Sequence, residues 1–201
     1  MFHHGRDVSL YSAAMNRDTR ERLVTFLKPF YQDLDGATRL DEVERIAAIA
    51  HRLYSPPAGE ERDFELLLLF HRLTHWLEKV GNLSRTLLTV SDLTEQELRR
   101  TAASIRRLDA PVTGPERATA AAMMIDSAGV RGLMELVGRA RREGNSLMDV
   151  LRATLADVSA PEWLPEKAEP WLHARREARR EVCRRLLEEL SLDDLADHVT
   201  D

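Results

Sequence analysis

Residues 60–80 read EERDFELLLLFHRLTHWLEKV, and they are the most apolar segment of the chain. Their apolar residues recur three and four positions apart and cover nearly all sides of a helix, which predicts a central α-helix over Glu60–Val80. Segments with the same spacing lie on both sides of it, and none of them alternates like a β-strand. The sequence therefore predicts an all-α fold of about eight helices.

Seven further helices are predicted from apolar spacing, caps and helix-breaking residues. Thr94 and Glu97 have the spacing of a capping box, Asn145 is a candidate N-cap, and Pro56 with Pro57 ends the second helix. The predicted spans are 19–35, 40–54, 94–108, 115–127, 130–142, 146–158 and 169–190.

The composition fits one domain with a filled core and a solvated surface. Of 201 residues, 43% are apolar and 31% are charged, and the formal net charge is -5. A chain of this length can bury one core of ordinary size. We expect residues 1–18 to be an N-terminal extension, 19–191 to be one helical domain, and 192–201 to be an acidic tail that frays.

The single cysteine and the short apolar runs indicate a cytoplasmic protein. Cys183 has no partner for an internal disulfide, and the chain has no Cys-x-x-Cys spacing for zinc. The longest apolar run, Leu66–Phe70, is too short to cross a membrane, and Met1–Met15 lacks the apolar run of a signal peptide. The excess of arginine over lysine suggests a GC-rich bacterial genome.

Three motifs in order carry a resemblance to a known family. They are Asp41-Glu42-Val43-Glu44-Arg45-Ile46, then Glu65 to Phe70 followed by His71-Arg72, then Pro111-x-Thr113-x-x-Glu116 followed by Ala121 to Gly129. In order and spacing the chain resembles the HD-domain superfamily of metal-dependent phosphohydrolases over about residues 39–190. The resemblance implies a single HD-like helical domain with a pocket formed by Glu42, Arg45, His71, Arg72, His75, Ala121 and Asp126.

The resemblance also implies that most metal ligands are missing. Glu42, Arg72 and Ala121 stand where the family has His, Asp and Asp, and only His71 is kept. A divalent ion needs several converging carboxylates or imidazoles, and an arginine repels it. We therefore expect no catalytic residue and no metal or other cofactor.

Arg72 is predicted to replace the metal as the cation that Glu42 needs. The pairing would be bidentate and partly desolvated. Removing Arg72 should then cost roughly 3 kcal/mol or more, because a buried carboxylate loses its partner.

The histidines leave an alternative open. His71 and His75 are four apart, a spacing known for metal pairs, and with a carboxylate such as Glu42 or Asp126 they could hold a divalent transition metal. His51 could join them if the helix faces converge. The competing interpretation is that His71 is a buried, hydrogen-bonded histidine and that His75 lies at the pocket rim.

The arginine-rich segment Arg175–Arg185 is predicted to be a solvated helix face. Glu177 and Glu181 recur at four-residue spacing among the arginines, which favours ion pairs along an exposed helix. No aromatic residues are interleaved for stacking bases, so we expect no nucleic-acid partner.

Three hypotheses about function follow. The first is a noncatalytic binding or regulatory protein that holds a small phosphorylated ligand or a protein partner. The second is an active metal-dependent phosphohydrolase that acts on a nucleotide or another phosphorylated small molecule with an unusual ligand set. The third is a structural module that hides an apolar helix face in a homodimer.

Overall fold

The fold is all-helical, as the sequence predicts. The computed structural model describes residues 15, 17–32, 40–73, 86–89, 91–156 and 158–197, and none of these residues lies in a β-strand. Residues 86–89 are helical, and residues 166–168 form a 3-10 helix. Besides residues 86–89, the α-helices of this part are α1 (Arg17–Gln32), α2 (Leu40–Leu53), α3 (Glu61–Phe70), α4 (Glu95–Arg106), α5 (Gly114–Ala128), α6 (Val130–Arg142), α7 (Leu147–Leu155) and α8 (Glu169–Asp197).

The described helices group into two compact units. The division falls between Thr119 and Ala120, within α5. The first unit holds α1 to α4 and the start of α5, and the second holds the rest. The single domain expected over residues 19–191 stays a prediction.

Helix α3 is the centre of the first unit. It packs against α2 and α4, and α1 packs against α2. Residues 66–70 are all buried, and so is the face of α2 that carries Val43, Ile46 and Ala50. Each buried leucine, isoleucine, valine or phenylalanine stabilises the fold by about 1.5–3 kcal/mol. The apolar spacing of α2 and α3 therefore predicted the core of this unit correctly.

Helix α3 is shorter than predicted, and the reason is local. It ends at Phe70 instead of Val80. The His71 imidazole is hydrogen-bonded to the carbonyl of Leu68, and the Leu73 N–H donates to the Phe70 carbonyl in a tighter turn. A side chain that satisfies one of the last carbonyls stabilises a helix end. Residues 74–80 of the predicted helix, with His75, lie outside the described residues.

The capping box predicted for α4 is confirmed. Thr94 accepts a hydrogen bond from the Glu97 N–H, and the Glu97 carboxylate accepts one from the Thr94 N–H. Glu97 also accepts a hydrogen bond from Arg62 of α3 at 2.6 Å. The same carboxylate therefore caps α4 and links it to α3.

The second unit packs α6, α7 and α8 together. Its fully buried residues include Leu133 of α6, Leu151 of α7 and Cys183 of α8. Helix α6 has the predicted bounds, whereas α7 ends at Leu155 instead of Val158. Helix α8 continues beyond Leu190 to Asp197, so it includes the start of the predicted acidic tail.

The N-cap of α7 differs from the prediction. Ser146 occupies that position, not Asn145. The Asn145 N–H donates to the carbonyl of Ala140, and the Gly144 N–H donates to that of Arg141. These two bonds form the Schellman ending of α6. Asn145 therefore belongs to the end of α6, and Ser146 takes the N-cap position of α7 without a capping hydrogen bond from its side chain.

Replacing Gly144 by alanine is expected to lower the free energy of unfolding by about 1 kcal/mol. Gly144 has a φ of 74°, which L side chains rarely adopt, while an added Cβ would meet nothing within 4 Å. The loss of stability therefore comes from backbone strain and not from a steric clash. Urea unfolding measures this loss.

Gly138 provides the matched control, because it lies inside α6 and an added Cβ would come no closer than 3.8 Å to another residue. Alanine has the higher helix propensity, so Gly138→Ala should stabilise by up to about 1 kcal/mol. Effects of the same sign at the two positions would contradict this account.

Candidate functional site

Glu42 and Arg72 form an ion pair in the first unit, as the sequence predicts. Arg72 Nη2 donates to Glu42 Oε1 at 2.8 Å. Glu42 lies in the first turn of α2, and Arg72 follows the end of α3. The Glu42 side chain is only 6% exposed, whereas that of Arg72 is 42% exposed. The pair is joined by this one hydrogen bond and not by the two of the predicted bidentate geometry.

His71 is a buried, neutral imidazole with one unused nitrogen. The residue is 3% exposed, and burial, together with the charge of Arg72, lowers its pKa to about 4. Its Nδ1 lies 2.8 Å from the Leu68 carbonyl, which can only accept, so Nδ1 carries the proton. Nε2 is buried and has no hydrogen-bond partner. His71 therefore offers a lone pair that a hydrogen-bond donor or a metal ion could use.

Tyr31 of α1 completes this group, and the sequence analysis missed it. Its hydroxyl donates to the carbonyl of Leu69, and its side chain is fully buried. Burial raises its pKa above the ordinary value, and the charge of Glu42 raises it further. The hydroxyl therefore stays protonated. The spacing of the sequence indicates the burial of Tyr31, because Tyr31 follows Leu23 and Leu27 at four-residue intervals on the buried face of α1.

We call Tyr31, Glu42, His71 and Arg72 the polar cluster. Helices α1 and α2 and the turn that follows α3 supply it. Its members are near enough for the charges of Glu42 and Arg72 to act on Tyr31 and for that of Arg72 to act on His71. Its one carboxylate is paired with a cation and its imidazole is neutral. The cluster therefore presents a guanidinium and a hydrogen-bond acceptor, not a set of anionic ligands.

Other predicted residues have different partners. Arg45 is bonded to Asp41, one turn earlier on α2, at 3.1 Å. His51 Nε2 lies 2.9 Å from Glu65 Oε1, and its ring packs edge-on against Phe64. His51 therefore links α2 to α3 through its contact with Glu65. His75 lies outside the described residues.

Ala121 and Asp126 lie on the part of α5 that belongs to the second unit. Ala121 is fully buried, and Asp126 is half-buried. Across the described ranges, no three His, Cys, Asp or Glu side chains are grouped in a way that could hold a metal ion.

The motif Pro111-x-Thr113-x-x-Glu116 forms the start of α5. The Glu116 carboxylate accepts hydrogen bonds from the N–H groups of Val112 and Thr113 and from the Arg107 guanidinium. The Glu116 N–H donates to Thr113 Oγ1, which completes a capping box. The Glu116 side chain is 0% exposed. Burial alone would raise its pKa, but these hydrogen bonds outweigh burial and hold the pKa at about 2.

Helix α8 carries the ion pairs predicted for the arginine-rich segment. Arg180 is bonded to Glu177, and Arg184 and Arg185 are bonded to Glu181. Arg179 differs, because its Nε is buried and has no hydrogen-bond partner, while its Nη1 lies 3.4 Å from the Ser127 carbonyl. Glutamates therefore neutralise much of this face.

Comparisons with known proteins add no assignment. No model of a known protein family matches the chain, and no curated protein matches it. Among the described residues, no helix is long and apolar enough to cross a membrane. The resemblance stated above rests on the motifs of the sequence.

Proposed function

We propose that the chain is a noncatalytic relative of the HD-domain phosphohydrolases that works as a binding or regulatory protein in the cytoplasm. One observation carries the proposal, the hydrogen bond from Arg72 to Glu42. An arginine does not lose its proton at any physiological pH. Its fixed charge neutralises the carboxylate and repels a divalent cation from the same oxygen. The lone cysteine supports a reducing compartment.

The proposed ligand is a small phosphorylated molecule, such as a nucleotide. Nearly half of the Arg72 side chain is exposed, which leaves part of the guanidinium for phosphate oxygens. The neighbouring His71 Nε2 has no hydrogen-bond partner, and its lone pair can accept a hydrogen bond from a ligand hydroxyl. A phosphate and a hydroxyl on one ligand would therefore use both unused groups of the polar cluster.

The first test is elemental analysis of the protein purified without a polyhistidine tag, paired with thermal unfolding in manganese, nickel or iron. We expect far less than one equivalent of metal and an unchanged Tm, because Arg72 occupies the carboxylate. A stoichiometric transition metal, or a rise in Tm of several degrees on adding one, would contradict the noncatalytic proposal.

The ligand is tested with adenosine monophosphate as the probe. Binding should raise the Tm of the wild type, since it stabilises only the folded state. Arg72→Lys keeps the charge but loses the planar fork, so we expect it to abolish most of the shift. Arg99→Gln, at an exposed position on α4, is the control and should keep it. An equal shift in Arg72→Lys would refute binding at Arg72.

A second candidate is the metal-dependent phosphohydrolase, which the lone pair of His71 Nε2 favours. A neutral imidazole with its other nitrogen bonded to a carbonyl has the form of a metal ligand. This alternative expects bound metal and phosphate release from nucleotides, and His71→Gln should remove both.

The homodimer hypothesis expects a mass in size-exclusion chromatography that rises with protein concentration.

A further inference from the structure

A cavity of about 390 Å³ lies between α3, α4 and the start of α5 in the first unit. Leu67 and Thr101 are its buried lining residues, and Ala103 and Pro115 add partly buried apolar surface. Pockets of this volume hold small organic molecules in many proteins. The cavity is lined by none of the residues of the polar cluster.

Charges of opposite sign reach the cavity from different elements. Glu60 and Asp63 belong to the start of α3, and Arg100 and Arg107 belong to α4 and the residue that follows it. Asp63 and Arg100 are joined at 3.1 Å, with side chains 42% and 51% exposed. An ion pair this exposed contributes little to stability. Either partner can therefore exchange it for a ligand charge at small cost.

These charges select the class of ligand. Arg107 is bonded to Glu116 and Glu60 to Tyr54, so a ligand can open only the exposed pair of Asp63 and Arg100. A ligand with one sign of charge that opens this pair leaves the other partner unmatched. A ligand with both signs matches Asp63 and Arg100 together and places its apolar body against Leu67. The hydroxyl of Ser104, another lining residue, supplies a further hydrogen-bonding group.

We propose that this cavity binds a small zwitterion with an apolar body, of the class of the apolar α-amino acids. Its carboxylate would be held by Arg100, beside Arg107, and its ammonium by Asp63, beside Glu60. Its side chain would cover Leu67. The site goes beyond the proposed function and does not depend on it.

Calorimetric titration of the full chain with L-phenylalanine tests the proposal. We expect saturable binding at one site with a Kd of about 1 mM or below. N-acetylphenylalanine lacks the cation and phenethylamine lacks the carboxylate, so each should bind at least about tenfold more weakly. Equal affinity for all three probes, or no binding of L-phenylalanine at about 10 mM, would overturn the proposal.

Two variants locate the site. Ala103→Trp fills the cavity and should abolish binding of L-phenylalanine, with the fold checked by circular dichroism. Arg100→Gln removes the carboxylate partner and leaves Asp63 without its arginine, so it should weaken L-phenylalanine at least about fivefold and should not weaken phenethylamine. Arg99→Gln, one position away but outside the lining, should bind like the wild type. Undiminished binding in Ala103→Trp, or in Arg100→Gln, would show that the ligand binds elsewhere.

Discussion

Glu116→Ala is expected to lower the free energy of unfolding by about 3 kcal/mol, the largest single effect we predict. The substitution removes a fully buried carboxylate that accepts from Arg107 and from two backbone N–H groups, at 3.0 Å from Val112 and 3.1 Å from Thr113. It also removes half of the capping box of α5. Urea unfolding at neutral pH measures the loss.

The same carboxylate makes stability depend on pH in the acid range. The pKa of Glu116 falls from its ordinary value of 4.5 to about 2 on folding. A depressed carboxyl pKa contributes stability that is fully present above about 4.5 and is lost as the pH falls towards about 2. The shift corresponds to about 3 kcal/mol.

Glu95→Ala is the matched control, because Glu95 is an exposed helix carboxylate that pairs with Arg99 one turn later. Its loss should be at most about 0.5 kcal/mol. If wild type and Glu116→Ala lost stability equally between pH 5 and pH 2, the assignment of the acid transition to Glu116 would be wrong.

Arg72→Ala is expected to lower the free energy of unfolding by about 2 kcal/mol. Glu42 is buried and would lose the guanidinium that neutralises it. The value is below the 3 kcal/mol expected from the sequence, because Arg72 is 42% exposed and water can enter the space that it leaves.

A double-mutant cycle separates the pair from the packing of each side chain. Glu42→Gln with Arg72→Met replaces both charges by neutral side chains of similar length. We expect the double variant to recover at least about 1 kcal/mol relative to the sum of the single losses. Strict additivity would mean that the two residues do not stabilise each other.

Local signals explain how much of the fold the sequence predicted. Apolar spacing located the buried faces of α2 and α3, and a glycine on either side bounded α6. Thr94 and Glu97 predicted their own capping box, because both partners lie within one turn. Each of these features depends only on residues that are close together in the sequence, so a single sequence is enough to predict it.

The early end of α3 could not be predicted in the same way. Leucine and histidine both fit a continuing helix, and the result depends on where the His71 ring finds an acceptor. The ring is bonded to the Leu68 carbonyl. Whether the ring bonds to this carbonyl depends on the burial of His71, and the sequence around His71 does not show that burial.

The candidate site was predicted in part. The pairing of Glu42 with Arg72 followed from the motifs that resemble those of the HD-domain superfamily, although only one hydrogen bond joins them. Tyr31 was missed because its hydroxyl is bonded to a backbone carbonyl of another helix, a contact with no sequence pattern. The motif Pro111-x-Thr113-x-x-Glu116 did not indicate the bond of Glu116 to Arg107, because the arginine lies outside the motif.

Because Cys183 is buried, its rate of reaction with a thiol reagent reports how often the second unit opens. It is the one thiol in the sequence, and it lies fully buried beside Leu133 and Leu151 in the second unit. A thiol reagent reaches it only when that unit opens, so the labelling rate at low denaturant measures an opening frequency. Glu116 belongs to the first unit. Faster labelling in Glu116→Ala would show that the two units open in one cooperative event, and an unchanged rate would show that they open independently.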